Sequence, residues 1–302
     1  MLFNLIPYKS STPPVAGGLA LFGGGFNGTL TVATVDKYNF SSTVFSAGTN
    51  LGTARHRLAG FGNATTGYFA CGEAEVVTDK YTYSTDVVVA GTSFSTAREY
   101  PSAFSNATVG ILAGGSPTLS STEKYTFSSD VVAAGTDSGY LGLGRTGFGN
   151  QSFGWSLGGH LSVSLSTVDT TKKYEYSTDV VTTTAVLLAK RRDAVAGSSS
   201  TKGLIAAGIA PTIPNDNLIT DTTEVYNMSS DVWTASTVLS IARTGAASAS
   251  NSATVLIAYG IETDLLASTD VFNLTTEAIT PGTNVLTQRR LLAGASNSHG
   301  GV

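Results

Sequence analysis

Apolar and polar residues alternate in short bursts along the chain, and each burst ends at turn-forming residues. In DKYTYSTD (79–86), two aromatics flank a polar residue and Ser-Thr-Asp follows, and a second apolar run, DVVVAGT (86–92), comes next. A period of two predicts half-buried strands, and the Ser/Thr/Asp cluster predicts a tight turn between them. No segment keeps a 3.6-residue period over three turns. The pattern therefore predicts an all-β protein.

The same sequence pattern occurs six times. Its central aromatics are Tyr38, Tyr81, Tyr125, Tyr174, Tyr226 and Phe272. In five copies an arginine follows 17 positions later, and these are Arg55, Arg98, Arg191, Arg243 and Arg289. An apolar run ending in glycine completes each copy, and the length varies only between that glycine and the next aromatic. Constant spacing is typical of packed strands, so each repeat predicts four strands and one variable loop. Six such units favour a β-propeller.

The order of glycine pair, loop, aromatic, turn, apolar strand and arginine resembles the kelch repeat. In EVYNMSSDVWTASTVLSIAR (224–243), Tyr226, Trp233 and Arg243 stand where a kelch blade has Tyr, Trp and Arg. The resemblance extends from about residue 17 to the end of the sequence, although only this copy has the tryptophan. It implies a six-bladed kelch-like β-propeller with four-stranded blades.

The two ends of the sequence are expected to complete one blade together. The last copy reaches RRLLAGASNSHGGV (289–302) after one strand, and AGGLALFGGG (16–25) begins with a glycine strand. One C-terminal strand and three N-terminal strands would close the ring and leave no open sheet edge. This divides the sequence into an N-terminal arm, residues 1–15, and a propeller, residues 16–302.

A repeated acid predicts an ion pair with the repeated arginine. Five copies carry the acid two positions before the aromatic, and the fourth has Lys172. The predicted same-blade pairs are Arg55–Asp79, Arg98–Glu123, Arg191–Glu224, Arg243–Asp270 and Arg289–Asp36. The blade with Lys172 also has Gly142 for the arginine, and Arg145 follows three places later. Joint loss favours a structural pair, because removing one partner strands a buried charge. The alternative is a cationic pocket in the channel.

Composition argues against several functions. The net charge is −4, with a pI near 5.3 and 13% charged residues, unlike the basic stripe of a nucleic-acid-binding protein. The apolar runs are only as long as strands, so membrane insertion is not expected. The first residues lack a basic segment before their apolar stretch, so no secretory signal is predicted. The single cysteine, Cys71, excludes an intramolecular disulfide and predicts a small buried residue.

Catalytic motifs are sparse, and we expect neither an enzyme nor a cofactor or metal. His56, His160 and His299 fall in different copies, without the spacing of metal ligands. A copper-radical oxidase would need histidines and a tyrosine-linked cysteine around the axis, and no matching constellation is visible. Asp-box repeats and a G-x-S-x-G elbow are also absent from the sequence.

The stretch from 137 to 172 departs most from the repeat and holds the candidate binding residues. These are Tyr140, Arg145, Trp155, His160 and Lys172. An exposed aromatic beside an arginine would suit a protein or sugar contact. The competing interpretation is that Trp155 fills the core position that Tyr68 and Ile111 occupy in other copies.

Two functions are compatible with this sequence. Near-identical repeats, a hydroxyl-rich surface and a short apolar arm resemble repeat proteins of tailed-phage fibres and head decorations. This resemblance implies a virion protein, made in the host cytoplasm, whose arm 1–15 docks on other virion proteins. Its propeller rim would face a host surface protein or glycan, and an oligomer is compatible with the sequence. The alternative is a bacterial kelch-like lectin or adhesin.

Overall fold

The computed structural model describes residues 18–117, 119–139, 142–161, 166–211 and 217–301. The predicted arm 1–15 lies outside the described residues. Among the described residues there are strands and turns but no helix, and hence no helix able to cross a membrane. The strands in chain order are β1 (Leu19–Gly23), β2 (Val35–Asn39), β3 (Val44–Ala47), β4 (Ala59–Gly62), β5 (Thr66–Ala70), β6 (Thr78–Thr82), β7 (Val87–Gly91), β8 (Ser102–Ser105), β9 (Val109–Ala113), β10 (Thr122–Thr126), β11 (Val131–Ala134), β12 (Thr146–Gly149), β13 (Phe153–Leu157), β14 (Thr171–Glu175), β15 (Val180–Thr183), β16 (Val195–Ser198), β17 (Lys202–Ala206), β18 (Ile209–Pro211), β19 (Asn217–Ile219), β20 (Thr223–Asn227), β21 (Val232–Ala235), β22 (Ala247–Ser250), β23 (Thr254–Ala258), β24 (Thr269–Asn273), β25 (Ile279–Pro281) and β26 (Ala293–Ser296).

These strands form six antiparallel sheets of four, the blades of a propeller. From the first strand of each blade outward, the sheets are β26-β1-β2-β3, β4-β5-β6-β7, β8-β9-β10-β11, β12-β13-β14-β15, β16-β17-β20-β21 and β22-β23-β24-β25. We number them blades 1 to 6 in this order. A short hairpin, β18-β19, grows from the variable loop of blade 5. The prediction of six four-stranded blades is confirmed.

Blade 1 combines strands from distant parts of the chain, in agreement with the predicted closure. Strand β26 pairs antiparallel with β1, with Ala295 opposite Leu21. The amide of Leu19 donates to the side-chain oxygen of Asn297 at 2.8 Å. Three N-terminal strands therefore share one sheet with one strand from near residue 295.

A repeated asparagine makes the hairpin between the first two strands of a blade. In blade 2 the side-chain oxygen of Asn63 accepts hydrogen bonds from the amides of Thr65 and Thr66, each at 2.9 Å. Asn106, Asn150 and Asn251 bond the equivalent amides in other blades. Such Asx turns satisfy amides that no strand partner reaches, which explains the recurrence of Asn in the repeat.

The hydrophobic core lies between neighbouring blades. An aromatic side chain of one blade packs against a glycine in the second strand of the next, as Phe61 does against Gly110. A methyl group added at Gly110 would lie 2.2 Å from the Phe61 ring, and one added at Gly154 would lie 1.9 Å from Phe104. The six repeat aromatics fill the same layers and are at most 2% exposed.

Small residues allow the six first strands to converge on the axis. A methyl group on Gly60 would meet the carbonyl oxygen of Gly294 in the neighbouring blade at 2.3 Å. One on Gly294 would meet the carbonyl oxygen of Ser248 at 2.0 Å. The first strands surround an axial channel, which holds a cavity of about 150 Å³ at one end and one of about 70 Å³ below it.

Lysines near the repeat aromatics link one blade to the next, a feature that the sequence analysis did not predict. Nζ of each lysine lies 2.6–2.8 Å from a turn aspartate of the following blade, in the pairs Lys37–Asp86, Lys80–Asp130 and Lys124–Asp179. These bridges are partly exposed, so each contributes little to stability.

Candidate functional site

The five predicted arginine–carboxylate pairs are in contact and buried, and we call them clamp pairs. The clamp pairs are Arg55–Asp79, Arg98–Glu123, Arg191–Glu224, Arg243–Asp270 and Arg289–Asp36. In blade 3, Arg98 Nη2 lies 2.6 Å from Glu123 Oε2, and Nη1 donates to the carbonyl oxygens of Gly114 and Ser121 at 2.8 and 3.1 Å. The guanidinium thus ties the end of β9 to the start of β10. The arrangement is architectural and recurs in five blades.

Burial disfavours the charged state of the clamp arginines, and the carboxylates compensate. Burial lowers the pKa of Arg191, while Glu224 opposes the shift. Arg243 follows the same rule, because burial lowers its pKa and Asp270 opposes that effect. The carboxylate in each pair compensates the buried guanidinium charge.

Blade 4 fills the clamp position differently. The carbonyl of Gly142 accepts from the Gly115 amide at 3.0 Å, as the carbonyl of Arg98 does from the Gly72 amide. Gly142 thus occupies the backbone position of a clamp arginine. Arg145, three residues later and 6% exposed, donates from Nη2 to the Ser156 carbonyl at 2.9 Å.

Ser156 lies opposite Lys172 in the sheet, in the register that joins Phe69 to Asp79 in blade 2. The guanidinium of Arg145 therefore reaches a carbonyl equivalent to that of Phe69, which Arg55 contacts at 3.3 Å. Lys172 does not take part, and its Nζ donates to Thr183 Oγ1 at 2.8 Å.

The upper end of the channel is bordered by six equivalent residues, one from each blade, and we call them the mouth ring. Each stands two positions after the clamp position, and the members are Arg57, Tyr100, Gly144, Asp193, Gly245 and Leu291. Backbone hydrogen bonds join neighbours around the ring. Arg57 N donates to Leu291 O at 2.8 Å, Tyr100 N to Arg57 O at 2.9 Å, and Asp193 N to Gly144 O at 2.8 Å.

Every member of the mouth ring has a left-handed backbone. The φ angles of Arg57, Tyr100, Asp193 and Leu291 lie between 52° and 58°, and those of the two glycines are 59° and 64°. A left-handed conformation is unusual for a long or aromatic side chain and costs on the order of 1–3 kcal/mol. The turn residues between the third and fourth strands are also left-handed, but there the chain mostly uses aspartate, which tolerates this conformation. Cys71, Ala207 and Tyr259, which follow the second strands of their blades and are buried in the core, are also left-handed, so this conformation alone does not distinguish the mouth ring.

Opposite charges face each other across the mouth. In the blade order around the ring, Arg57 and Asp193 are three blades apart and therefore opposite. Arg57 Nη1 lies 2.9 Å from Glu99 Oε2, and its guanidinium carbon lies 5.1 Å from the centre of the Tyr100 ring. Asp193 Oδ2 lies 2.6 Å from Arg192 Nη1. The mouth therefore offers a cation, an aromatic ring and a carboxylate around a cavity of about 150 Å³.

Burial raises the pKa of Asp193, and the positive charges of Arg192 and Arg57 oppose that shift. Burial also raises the pKa of Tyr100, with Asp193 adding to the effect and Arg57 opposing it. The three ring residues thus influence one another electrostatically, although they come from three blades.

A second polar cluster lies on the loop that follows β5. Thr31 Oγ1 donates to Glu73 Oε1 at 2.7 Å, and the same carboxylate contacts His56 Nδ1. His56 directly precedes the ring residue Arg57, so the cluster stands beside the mouth. Cys71 begins the same loop and is fully buried, which raises the pKa of its thiol to about 12.

The structure does not bring the five candidate residues of 137–172 together. Arg145 lines the mouth cavity, and His160, whose amide donates to the Leu143 carbonyl, contributes to the electrostatic surroundings of Asp193. Trp155 is 1% exposed and packs against the rings of Phe148 and Tyr226, so its interpretation as a contact residue is wrong. The core interpretation is the correct one for this residue.

Lys172 lies on the third strand of blade 4, against Thr183, and contributes nothing to the mouth. Tyr140 lies outside the described residues. Sequence reasoning missed Arg57, Tyr100 and Asp193, because they share a position in the repeat but no residue type. Their fixed distance of two residues from the clamp position is the signal that would have found them.

Within the described ranges, no three His, Cys, Asp or Glu side chains gather in a way that could hold a metal ion. The cavity at the mouth is lined by three charged side chains, Arg57, Arg145 and Asp193, and by the ring of Tyr100.

The fold and this channel define a six-bladed β-propeller. One solved structure to which the chain is similar is that of YjhT, with a TM-score of 0.70 and 10% sequence identity. The alignment covers 81% of this chain and 88% of that chain. At this identity, the similarity concerns the fold alone. No family model matches the sequence, and no curated protein matches it either.

Proposed function

We propose that the protein is a non-enzymatic interaction protein that binds its partner at the channel mouth. The supporting observation is the divergence of the mouth ring within an otherwise regular repeat. At six equivalent positions the chain places Arg57, Tyr100, Asp193, Leu291 and two glycines. A specific contact needs unlike groups converging at one place, and this ring provides them.

The position of the variable loops also supports binding at the channel mouth. In each blade the loop of variable length joins the second strand to the third, and the second strand ends beside the beginning of the first, as Ala70 does beside Ala59. The loops therefore start at the level of the mouth ring. Loops placed on a rigid scaffold commonly carry binding, and their variation in length would shape the partner surface.

We further propose that the protein is a virion component, as a fibre, decoration or host-contact protein. The charge-poor, hydroxyl-rich composition and the short apolar arm support this hypothesis. In this proposal the arm 1–15 docks on another virion protein, and the mouth faces the host or a neighbouring virion protein.

The virion proposal is tested by mass spectrometry of purified virus particles that are encoded by the same genome as this protein. We expect the full chain to be a stoichiometric component of the particle. A chain lacking residues 1–15 should fold with an unchanged circular dichroism spectrum and be lost from particles. A full chain that is absent from particles would contradict the proposal.

The mouth is tested separately by binding of the purified protein to host cells. We expect Arg57→Gly and Asp193→Asn to reduce binding at least about tenfold, since each removes a charge-assisted contact of about 1.5–3 kcal/mol. Lys172→Ala is the matched control and should bind as the unaltered protein does. Equal binding by all four proteins would contradict a contact at the mouth.

A second candidate is a carbohydrate-binding lectin or adhesin. Tyr100 and Asp193 line the same cavity, and a ring and a carboxylate around one cavity suit a sugar, which offers both an apolar face and hydroxyl donors. A glycan array separates the two candidates. Glycan binding that is lost in Tyr100→Ala would favour the lectin, and binding only to protein partners would favour the first proposal.

A further inference from the structure

The lower end of the channel is crossed by residues 297–301, which we call the axial segment. The amide of Gly300 donates to the Ser198 carbonyl of blade 5 at 3.1 Å. The imidazole Nε2 of His299 lies 3.0 Å from the Gly62 carbonyl of blade 2 and 3.3 Å from Ser105 Oγ of blade 3. The segment leaves blade 1 after Ser296 and thus joins widely separated blades across the axis.

The axial segment closes the smaller of the two cavities. His299 lines this cavity of about 70 Å³, together with the lower residues of all six first strands. The glycines that follow are tightly held, because a methyl group on Gly300 would meet the Ser199 carbonyl at 2.2 Å and one on Gly301 the Ser105 carbonyl at 2.1 Å. Only glycine fits at positions 300 and 301 of the axial segment.

The hydrogen bonds of His299 fix its protonation state. A carbonyl oxygen can only accept, so Nε2 must carry the proton that faces Gly62. Nδ1 accepts from the Gly301 amide at 3.0 Å and must therefore be unprotonated. Both nitrogens are satisfied only in the neutral Nε2–H tautomer. A proton added at Nδ1 would point at the N–H of Gly301 and break that bond.

We propose that the axial segment is an acid-sensitive closure of the channel, held shut by neutral His299 and released when the imidazole is protonated. Among the described residues, the imidazole forms hydrogen bonds with the Gly62 carbonyl, the Ser105 hydroxyl and the Gly301 amide, and none of these three groups titrates. No neighbouring acid among them compensates a positive charge. Release would turn a channel open at the mouth alone into one open at both ends.

The sign of the effect follows from burial. Burial lowers the pKa of His299, and the Gly62 carbonyl opposes that shift only in part. An open segment would return the imidazole to its ordinary pKa of about 6.5, so the open state binds more protons in mildly acidic solution. The closure is then fully stable above about pH 6.5 and loses stability as the pH falls toward the lowered pKa of the closed state.

Hydrogen–deuterium exchange of the Gly300 and Gly301 amides in the full chain tests whether the axial segment opens in acid. After correction for intrinsic rates, we expect protection in the unaltered protein to fall between pH 7.5 and pH 5, by about tenfold for a closed-state pKa lowered by one unit and by at most about thirtyfold for a larger shift, because pH 5 lies only about 1.5 units below the ordinary pKa. His299→Gln keeps a side-chain donor for Gly62 without titrating, and its protection should be independent of pH. Equal protection at both pH values in the unaltered protein would overturn the proposal, as would an unchanged pH dependence in the glutamine variant.

Thiol labelling tests whether the channel itself opens. Ser250→Cys places a thiol at the lower channel, and Ser230→Cys places one on an exposed turn as a control for the pH dependence of the reagent. The ratio of the two labelling rates should rise on acidification with His299 and stay constant with His299→Gln. A constant ratio in both backgrounds would contradict an opening channel.

An imidazole titration by NMR keeps the proposal testable if the glutamine variant does not fold. In the unaltered chain, His299 should be the Nε2–H tautomer at pH 7.5 and titrate below the ordinary value of about 6.5. A His299 that titrates at or above that value would overturn the proposal.

Discussion

The clamp position and the mouth ring are two residues apart in every repeat, yet they differ in every other respect. At the clamp position the chain places the same side chain in five blades, and each arginine is at most 1% exposed and paired with a carboxylate. In the mouth ring it places five residue types among six positions, all with left-handed backbones. The clamp pair recurs because it ties the strands of five of the six blades together. The residue type in the mouth ring varies because the fold of a blade does not require a particular side chain there.

The difference separates repeat positions that serve stability from repeat positions that are free to vary. A buried charge must be compensated wherever it occurs, so selection for stability gives the same pair in all five blades that carry the clamp arginine. A ring position only has to accept a left-handed turn, which glycine does without strain. In the proposed function, contacts with a partner account for Arg57, Tyr100 and Asp193 at positions where glycine would also fit the turn.

The largest effect is expected when one clamp partner is removed. Glu123 accepts from Arg98 Nη2 at 2.6 Å and from the Ser95 amide and hydroxyl at 2.8 and 2.6 Å. Glu123→Ala should lower the free energy of unfolding by about 3–5 kcal/mol, because it leaves a buried guanidinium unpaired. Urea denaturation measures the loss. A change below about 1 kcal/mol would contradict a buried, structural role for the pair.

Removing both partners should cost less than the two single losses together. Arg98→Met and Glu123→Leu each strand one charge, whereas the double variant strands neither. We expect the two substitutions to be non-additive by about 1–3 kcal/mol in the free energy of unfolding. Additive losses in the double-mutant cycle would mean that the two side chains act independently.

Much of the fold could be predicted from the sequence, because packed strands constrain spacing. The interval of 17 residues between aromatic and arginine set the register, and the register predicted pairs such as Arg289–Asp36, which are 253 residues apart. The lysine bridges were missed, although Lys37, Lys80 and Lys124 precede successive repeat aromatics, because partly exposed ions leave a weaker pattern. Trp155 was a candidate for contact because it is large and unusual, and burial explains it fully.

The mouth ring could not be predicted in the same way. Its members have no common chemistry, and their left-handed backbones leave no trace in residue type when Arg57, Tyr100 and Leu291 adopt them. The position of the axial segment could not be predicted either, because the hydrogen bonds of His299 join it to Gly62 and Ser105, which are far away in sequence. Such sites depend on distant contacts that a repeat pattern does not encode.

A smaller, pH-dependent effect is expected at Asp193. Burial raises its pKa, so the folded state binds a proton more readily than the unfolded chain does, and the ionised carboxylate reduces stability as the pH rises. Asp193→Asn should therefore be as stable as the unaltered protein at pH 7, or more stable by up to about 1 kcal/mol. Thermal denaturation from pH 4 to 8 measures the difference, which should shrink toward pH 4. A variant that loses stability at pH 7 and recovers none in acid would contradict this interpretation.

The smallest effect is expected at Lys172, which occupies the acid's position in the blade that lacks a clamp pair. Its ammonium bonds only to Thr183 Oγ1 among the described contacts, at a partly exposed position. Lys172→Ala should change the free energy of unfolding by no more than about 0.5 kcal/mol. A loss as large as that of Glu123→Ala would mean that blade 4 has a charge pair of its own.

The separation of the two positions is tested most directly by the free energy of unfolding of one triple variant. In Arg57→Gly, Tyr100→Gly and Asp193→Gly combined, the losses of partly exposed contacts are offset by relief of left-handed strain on the order of 1–3 kcal/mol at Arg57 and at Tyr100. Urea denaturation should give a free energy of unfolding within about 1 kcal/mol of the unaltered protein, while the single variant Glu123→Ala loses about 3–5 kcal/mol. A triple variant that loses as much as the clamp variant would contradict the account.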